Sequence, residues 1–216
     1  MKKVYIIGTG GFAAELTEYI NDNNKLNTLE QIVIEGYFDI NDKNYQHYNF
    51  QSPFLGDEKN YSFPENSILY IAIGDNNIRK KIIQFFEGKN IIFENFIHHT
   101  CIISSSAKYG KGNIFCPHVI IGPKTILGDF NLVNYKTAIP HDCTVGSHNI
   151  FSPNVNITGY STIVNNNFFG TSSTVLPNIQ IGNNNKIQAG VTVLKNISNN
   201  NIVFTTNLMK NMVIYK

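Results

Sequence analysis

The stretch "YSTIVNNNFFGTSSTVLPNIQIGNNNKIQAGVTV", residues 160–193, decides the fold. Ile163, Phe169, Val175, Ile181, Ile187 and Val193 stand six residues apart, and the asparagine triplets 165–167 and 183–185 stand 18 apart. Followed backwards in the same phase, the series runs without a slip to Ile97 through 17 bulky apolar positions. A fixed period of this kind is the mark of a repeat architecture, not of a sandwich, whose strands alternate with period two. The physical solution is a left-handed parallel β-helix with three short faces per coil. One anchor from each face fills the prism, and small residues four places later, never aromatic or charged, pack near the corners. Seventeen hexapeptides make nearly six coils, each rising by about the ordinary strand spacing of ~4.8 Å. The corners are expected to need positive φ, which Gly and Asn tolerate. Glycine follows the anchor at 110, 122, 128, 146, 170 and 182, and the asparagine triplets should stack coil upon coil.

The residues before Ile97 have another grammar. "VYIIGTGGFAAELTEYI" reads as strand, glycine turn and amphipathic helix. Gly8, Gly10 and Gly11 stand where the amides of a helix N-terminus face an anion. "IVIEGYFD" is a second strand ending at Asp39, placed to meet a ribose or base. "SILYIAIGDNNIRKKIIQFFEGK" repeats the scheme, with Asp75 and Asn76 in its turn and Arg79 on its helix. Ninety residues hold half of a dinucleotide fold, suited to one nucleotide diphosphate; tight turns alone would also account for the glycines. The expected organisation is an α/β nucleotide-binding half-Rossmann domain over 1–95 and the β-helix over 96–216.

Composition narrows the function. With 42% hydrophobic and 15% charged residues and a net charge of +2, the chain lacks the basic surplus of a nucleic-acid binder. No run of 18 apolar residues suggests a membrane span, and "MKKVYIIGTGG" reads as a first strand rather than a leader. Cys101, Cys116 and Cys143 are odd in number and lack CxxC spacing. They fit reduced thiols and a cytoplasmic location.

The reactive chemistry is expected in "AIPHDCTVG", residues 138–146. His141 falls two places after an anchor, so it projects outward near a corner, with Gly159 one coil above it. Asp142 can hold the imidazole in one tautomer and favour the imidazolium formed on proton uptake. An amine nucleophile must shed a proton to attack, and imidazoles, titrating near ~6.5 in water, suit that task. The Gly159 amide is a candidate donor to a carbonyl oxygen. Taken alone, a His–Asp pair can equally be a structural turn. A zinc site would need three converging histidines; His118 and His148 are the candidates, and His118 precedes His141 by 23 residues, not a multiple of 18, so no metal is expected unless a neighbouring chain supplies partners. Cys143 sits at a corner-packing position and reads as core rather than nucleophile. His98 and His99 read as surface residues where the domains join, and His47 carries no signal.

These features resemble the left-handed β-helix acyltransferases of bacterial sugar biosynthesis. The resemblance is to the branch with a small N-terminal nucleotide-binding domain, which includes N-acetyltransferases of nucleotide-linked 4-amino sugars and sialic-acid O-acetyltransferase-like proteins. It covers nearly the whole chain and rests on "IIGTGGFAAEL", "GYFD", "AIGDNNIRKKI", "NYKTAIPHDCTVG", "NITGYSTI", "FFGTSSTVLPN" and "AGVTVLKNI". It implies an acetyl-CoA-dependent homotrimer with active sites between subunits, serving polysaccharide (lipopolysaccharide O-antigen) biosynthesis. Its substrate would be a nucleotide-linked 4-amino-4,6-dideoxy sugar or, alternatively, the hydroxyl of a sialic acid or another sugar. It makes His141 the base, Asp142 its partner and Gly159 the donor to the thioester carbonyl. Asn134 would lie near the sugar, and Gly8–Gly11, Asp39 and Asp75–Arg79 would hold the nucleotide. Gly170, Thr171, Ala189, Gly190 and Lys195 would line the coenzyme groove. The sequence departs from the family where a second histidine is usual: Ile150 stands there, with His148 two places earlier. Its "FTTNLMK", residues 204–210, replaces the usual C-terminal Gly-x-Pro-Ala-Lys pattern.

Overall fold

The structure, a computed structural model, describes residues 1–26 and 28–205. It opens with β1 (Lys2–Ile7), α1 (Gly11–Asn24), β2 (Ile32–Phe38), α2 (Lys43–Tyr48), β3 (Ser67–Ile71), α3 (Asn76–Phe86) and β4 (Ile91–Ile92). The four strands form one parallel sheet in the order β2-β1-β3-β4. Alternation along β1 divides its side chains between two cores. Val4 and Ile6 join Ala13, Leu16 and Ile20 of α1 on one side, while Tyr5 and Ile7 join Ile82 and Phe86 of α3 on the other.

From Phe96 the chain winds into a parallel β-helix of two-residue strands. Three sheets result. The first face carries seven strands, from Phe96–Ile97 to Ile202–Val203, the second six, from Ile102–Ile103 to Thr192–Val193, and the third five, from Lys108–Tyr109 to Gln180–Ile181. Every anchor read from the sequence ends one of these strands, and those from Phe115 to Val193 form a single buried core. The register is 18 residues per coil, as in Leu132 beside Ile150 and Ile150 beside Phe168. After Val193 the spacing shortens: Ile187 pairs with Val203, 16 residues on.

The corners take positive φ as expected, but not only at glycine and asparagine. Positive φ falls three places after every anchor from Tyr109 to Ile187 and is carried by His118, Lys124, Phe130, Asp142 and Tyr160 as readily as by Gly112 or Asn154. The glycines directly after anchors serve proximity instead. A Cβ on Gly122 would lie 2.5 Å from the His141 backbone nitrogen of the next coil. The asparagines stack as expected. Asn131, Asn149, Asn167 and Asn185 each donate a backbone N–H to the side-chain oxygen of the asparagine 18 residues earlier, at 2.8–2.9 Å. This ladder satisfies polar groups that the narrow prism must bury.

The two units share a core. Phe96, Ile114, Leu132 and Ile150 point outward from the first face and pack against Leu16, Ile20, Tyr37 and Tyr70. The second and third faces are left without this cover.

Candidate active site

The second face ends at Pro140, and the chain turns through His141 and Asp142, whose φ is +56°. That turn lays the Asp142 carboxylate beside the ring, with Oδ2 3.0 Å from His141 Nδ1. A carboxylate can only accept, so the pairing puts the proton on Nδ1 and leaves the Nε2 lone pair free. About half of the His141 side chain is exposed. Its ring rests on Gly159 of the next coil: a Cβ there would meet Cε1 at 2.6 Å and Nε2 at 3.0 Å. Among the described residues no acceptor meets the Gly159 N–H, whereas its carbonyl accepts from Asn178. Tyr160 presents its edge to the imidazole at 5.3 Å and is itself largely exposed, a neighbour that the sequence reading missed. Cys143 is 1% exposed, with Sγ donating to the Thr158 carbonyl at 3.4 Å. Burial pushes its thiol up, which suits packing and not nucleophilic attack.

The residues assigned to sugar and coenzyme divide between two corners of the prism. His141, Gly159 and Lys195 stack along the corner after the second face, since they differ by multiples of 18. Asn134, Gly170, Thr171, Ala189 and Gly190 stack along the corner before it. A cleft of about 510 Å³ at that earlier corner is lined by Gly170, Thr171 and Ala189, together with Lys186 and Phe204. Lys195 borders a separate cleft of about 640 Å³ at the end of the helix. Within one chain the structure therefore does not bring Asn134 or the Gly170–Ala189 groove to His141. Of "FTTNLMK", only Phe204 and Thr205 lie among the described residues.

In the first unit, Gly8, Gly10, Gly11 and Asp39 converge on a cleft of about 470 Å³ at the ends of β1 and β2. Gly8 has φ +107°, and a Cβ there would stand 2.7 Å from the Ala72 carbonyl oxygen, so no other residue fits without displacement. α1 begins at Gly11, with Gly10 as an N-cap that offers no side-chain acceptor. Gly10, Gly11 and Phe12 line the cleft, so the helix N-terminus stands at its wall, where anion binding would need it. Asp39 is already engaged: Oδ2 accepts from the Thr9 N–H at 3.0 Å and hydroxyl at 2.7 Å, and Oδ1 from the Ile40 N–H. It braces the β1–α1 turn and keeps limited capacity for a ribose. Lys59 and Lys81 also line the cleft and supply the cations the sequence reading did not identify.

Three expectations need correction. Arg79 does not face this cleft. It is 2% exposed, and its guanidinium donates to the carbonyls of Ile71, Ile73 and Phe130, tying α3 to β3 and to the β-helix. Asp75 caps α3 by accepting from the Asn77 and Ile78 amides, and Asn76 reaches the Asn167 carbonyl, so both line a different recess against the β-helix. His98 is not a surface residue but 3% exposed, whereas His99 is on the surface. Among the described residues no metal-compatible group includes His118, His141 or His148. His148 stacks on Phe130 at 5.4 Å in the corner beneath α3.

Residues 3–86 match the family described as the PglD N-terminal domain. The first unit is thus similar to that domain. GDP-perosamine N-acetyltransferase of Escherichia coli O157:H7 is 26% identical over 90 residues, covering 42% of this chain and 41% of that protein. An uncharacterized protein, L142, of Acanthamoeba polyphaga mimivirus is 36% identical over 130 residues, covering 60% of this chain and 24% of its own length. The chain thus spans about a quarter to two-fifths of the length of these curated relatives. A solved perosamine N-acetyltransferase from Caulobacter crescentus, in complex with CoA and GDP-perosamine, superposes with a TM-score of 0.77. That comparison covers 94% of this chain and 93% of the other at 22% identity, and it establishes a shared fold: an α/β unit followed by a parallel β-helix.

Proposed function

We propose that this chain transfers the acetyl group of acetyl-CoA to the amino group of a nucleotide-linked 4-amino-4,6-dideoxy sugar. The observation that carries the reading is the imidazole of His141, fixed by Asp142 at Nδ1, free at Nε2 and seated on the Gly159 backbone. In this mechanism Nε2 takes the proton from the sugar ammonium or from the attacking amine, and Asp142 stabilises the resulting imidazolium. The amine attacks the thioester carbonyl, the Gly159 N–H donates to the oxygen that gains charge, and the CoA thiolate leaves. Attack is direct, because the nearest thiol, Cys143, is buried with its Sγ turned to backbone carbonyls.

The nucleotide end suits the cleft in the first unit, where a helix N-terminus, Lys59 and Lys81 favour a diphosphate. The names of the relatives support the same substrate class: one is a GDP-perosamine N-acetyltransferase, and another holds CoA and GDP-perosamine. The division of site residues between two corners supports a homotrimer, in which the Gly170–Ala189 corner of one subunit faces the His141 corner of the next. A cytoplasmic place in polysaccharide assembly follows from such a substrate, and no helix among the described residues is long and apolar enough to cross a membrane. The test is a panel of UDP-, dTDP- and GDP-linked 4-amino-4,6-dideoxy sugars with acetyl-CoA, read by CoA thiol release. Turnover with one member and none with hydroxyl analogues supports the reading. Turnover only with a sialic acid or another hydroxyl acceptor replaces it with O-acetylation.

A further inference from the structure

Where α1 ends against the first coil of the β-helix, three potential ligand atoms meet. Asp22 Oδ2 lies 2.9 Å from His99 Nε2 and 3.3 Å from His98 Nε2, and all three atoms lie within 4.8 Å of one another. They come from two separately formed pieces of the fold, the last turn of α1 and the segment following the Phe96–Ile97 strand. We propose that Asp22, His98 and His99 form a binding site for a zinc-class divalent cation that staples α1 to the β-helix. This site lies on the first coil, holds none of the residues proposed for acetyl transfer, and does not depend on that chemistry.

Donor type selects the class of ion. Two imidazoles and one carboxylate suit zinc and its neighbours, whereas calcium and magnesium demand mostly oxygen. Bonds of roughly 2.0–2.1 Å in a tetrahedral site set ligand atoms roughly 3.3 Å apart. The two Asp22 separations already stand close to that figure. Three protein ligands leave a fourth position for water.

The surroundings hold these donors in place. Asn23, itself buried, accepts the His99 N–H at 2.8 Å and donates to the Ile97 carbonyl at 2.9 Å, fixing the histidine-bearing backbone to the residue beside Asp22. His98 is buried, and its Nδ1 accepts from the Thr100 N–H at 3.3 Å and lies 2.8 Å from the Thr100 hydroxyl, which can donate or accept. Once the metal takes the Nε2 lone pair, Nδ1 carries the proton and the nearer hydroxyl accepts from it in place of the longer N–H contact, the outer-shell partner that orients an imidazole ligand. Lys25 occupies Asp22 Oδ1 at 3.2 Å and leaves Oδ2 as the single carboxylate donor. A neutral ring takes the ion at Nε2 by carrying its one proton on Nδ1, so binding fixes the tautomer of both rings.

The test uses the full chain after chelator treatment and dialysis, with zinc chloride titrated in a calorimeter and cobalt(II) followed by its visible absorption. The expected results are one ion per chain, a higher thermal midpoint with zinc, and no comparable effect of calcium or magnesium. His99→Ala and Asp22→Asn should each weaken zinc binding at least tenfold, while His47→Ala, a change at an unrelated histidine, leaves it intact. His99 is on the surface, so its variant isolates ligand loss from folding, and circular dichroism of the metal-free protein checks this. The proposal is overturned if the parent takes up no zinc, or if it binds no more tightly than His99→Ala. It is also overturned if His47→Ala loses the site while His99→Ala keeps it.

Discussion

The His141 imidazole lies, across one coil, where a side chain at Gly159 would have to go: a Cβ there would stand 2.6 Å from Cε1. Gly159→Ala should therefore push the ring from its place over the Gly159 backbone while leaving the helix wound. Misplacing a catalytic group by about an ångström can cost on the order of 10²-fold in rate. The expected outcome is turnover reduced at least tenfold, with the thermal midpoint close to that of the parent. Full turnover in a folded Gly159→Ala would show that the ring's seat does not matter.

His141→Asn keeps a polar side chain of similar reach but removes the base. Loss of a general base typically costs about 10² to 10⁴ in rate, whereas coenzyme binding is spread over the neighbouring corner. Turnover should fall by that range with acetyl-CoA affinity little changed, as read by steady-state kinetics and calorimetry. A rate within a factor of about 3 of the parent, under 1 kcal/mol, would remove His141 from the role.

Arg79 and Lys81 stand two residues apart on α3 and should fail in opposite ways. Arg79→Met leaves the carbonyls of Ile71, Ile73 and Phe130 without their donor inside the junction. A stability loss of roughly 2–4 kcal/mol is expected, measured by denaturant unfolding. Lys81→Ala removes an exposed charge from the rim of the cleft in the first unit. It should leave stability within about 0.5 kcal/mol and weaken a nucleoside diphosphate several-fold, more at low salt than at high. Unchanged nucleotide binding in Lys81→Ala would place the diphosphate elsewhere.

The period of the β-helix was legible because it is written in side-chain size, one anchor in every six residues up to Val193. The positive-φ positions were not. Coil closure imposes them on Lys124, Phe130 and Tyr160 regardless of residue type, so composition carries no trace of them. The glycines that drew attention mark backbone proximity instead. His141, Asp142 and Gly159 were placed correctly relative to one another by counting in 18s, since that number is the coil. Counting could also have separated Asn134 from His141, whose seven-residue spacing exceeds one hexapeptide and lands on another corner. Arg79 was misread because a helix following a glycine turn suggests an anion site. Whether the arginine faces that site or the domain beneath depends on how α3 packs against the β-helix, which no local pattern records.

His148 gives a pH test. Burial first, then Lys80 and Arg79, lowers its pKa below the ordinary histidine value, with Asp129 opposing them and Phe130 stacked on the ring. The folded chain therefore binds this proton less readily than the unfolded chain. Above about 6.5, the ordinary value for histidine, both states are neutral and His148 adds no pH dependence. As pH falls below it, the unfolded state takes up the proton first and stability is lost, until the folded pKa is passed. His148→Gln should flatten that part of the profile. Denaturant midpoints from pH 7.5 to 5 would check this, and an unchanged slope in the variant would assign the acid sensitivity to other groups.

The proposed trimer makes the most demanding prediction. If each site joins the His141 corner of one subunit to the Gly170–Ala189 corner of the next, two defects on different corners should complement. Thr171 is exposed on the groove corner, so Thr171→Trp should block coenzyme without disturbing the core. His141→Asn disables the other corner. Each homotrimer should be inactive. Each mixed trimer, whether two-to-one or one-to-two, has one interface in three that pairs an intact His141 corner with an intact groove, so mixed trimers should carry about one third of the parent's sites. The measurement is turnover of co-expressed, differently tagged chains after tandem purification, with separately purified variants mixed without exchange as the control. Activity near that fraction would show that the site crosses subunits. No recovery in verified mixed trimers would mean that each chain carries its own complete site, and the division between corners would need another explanation.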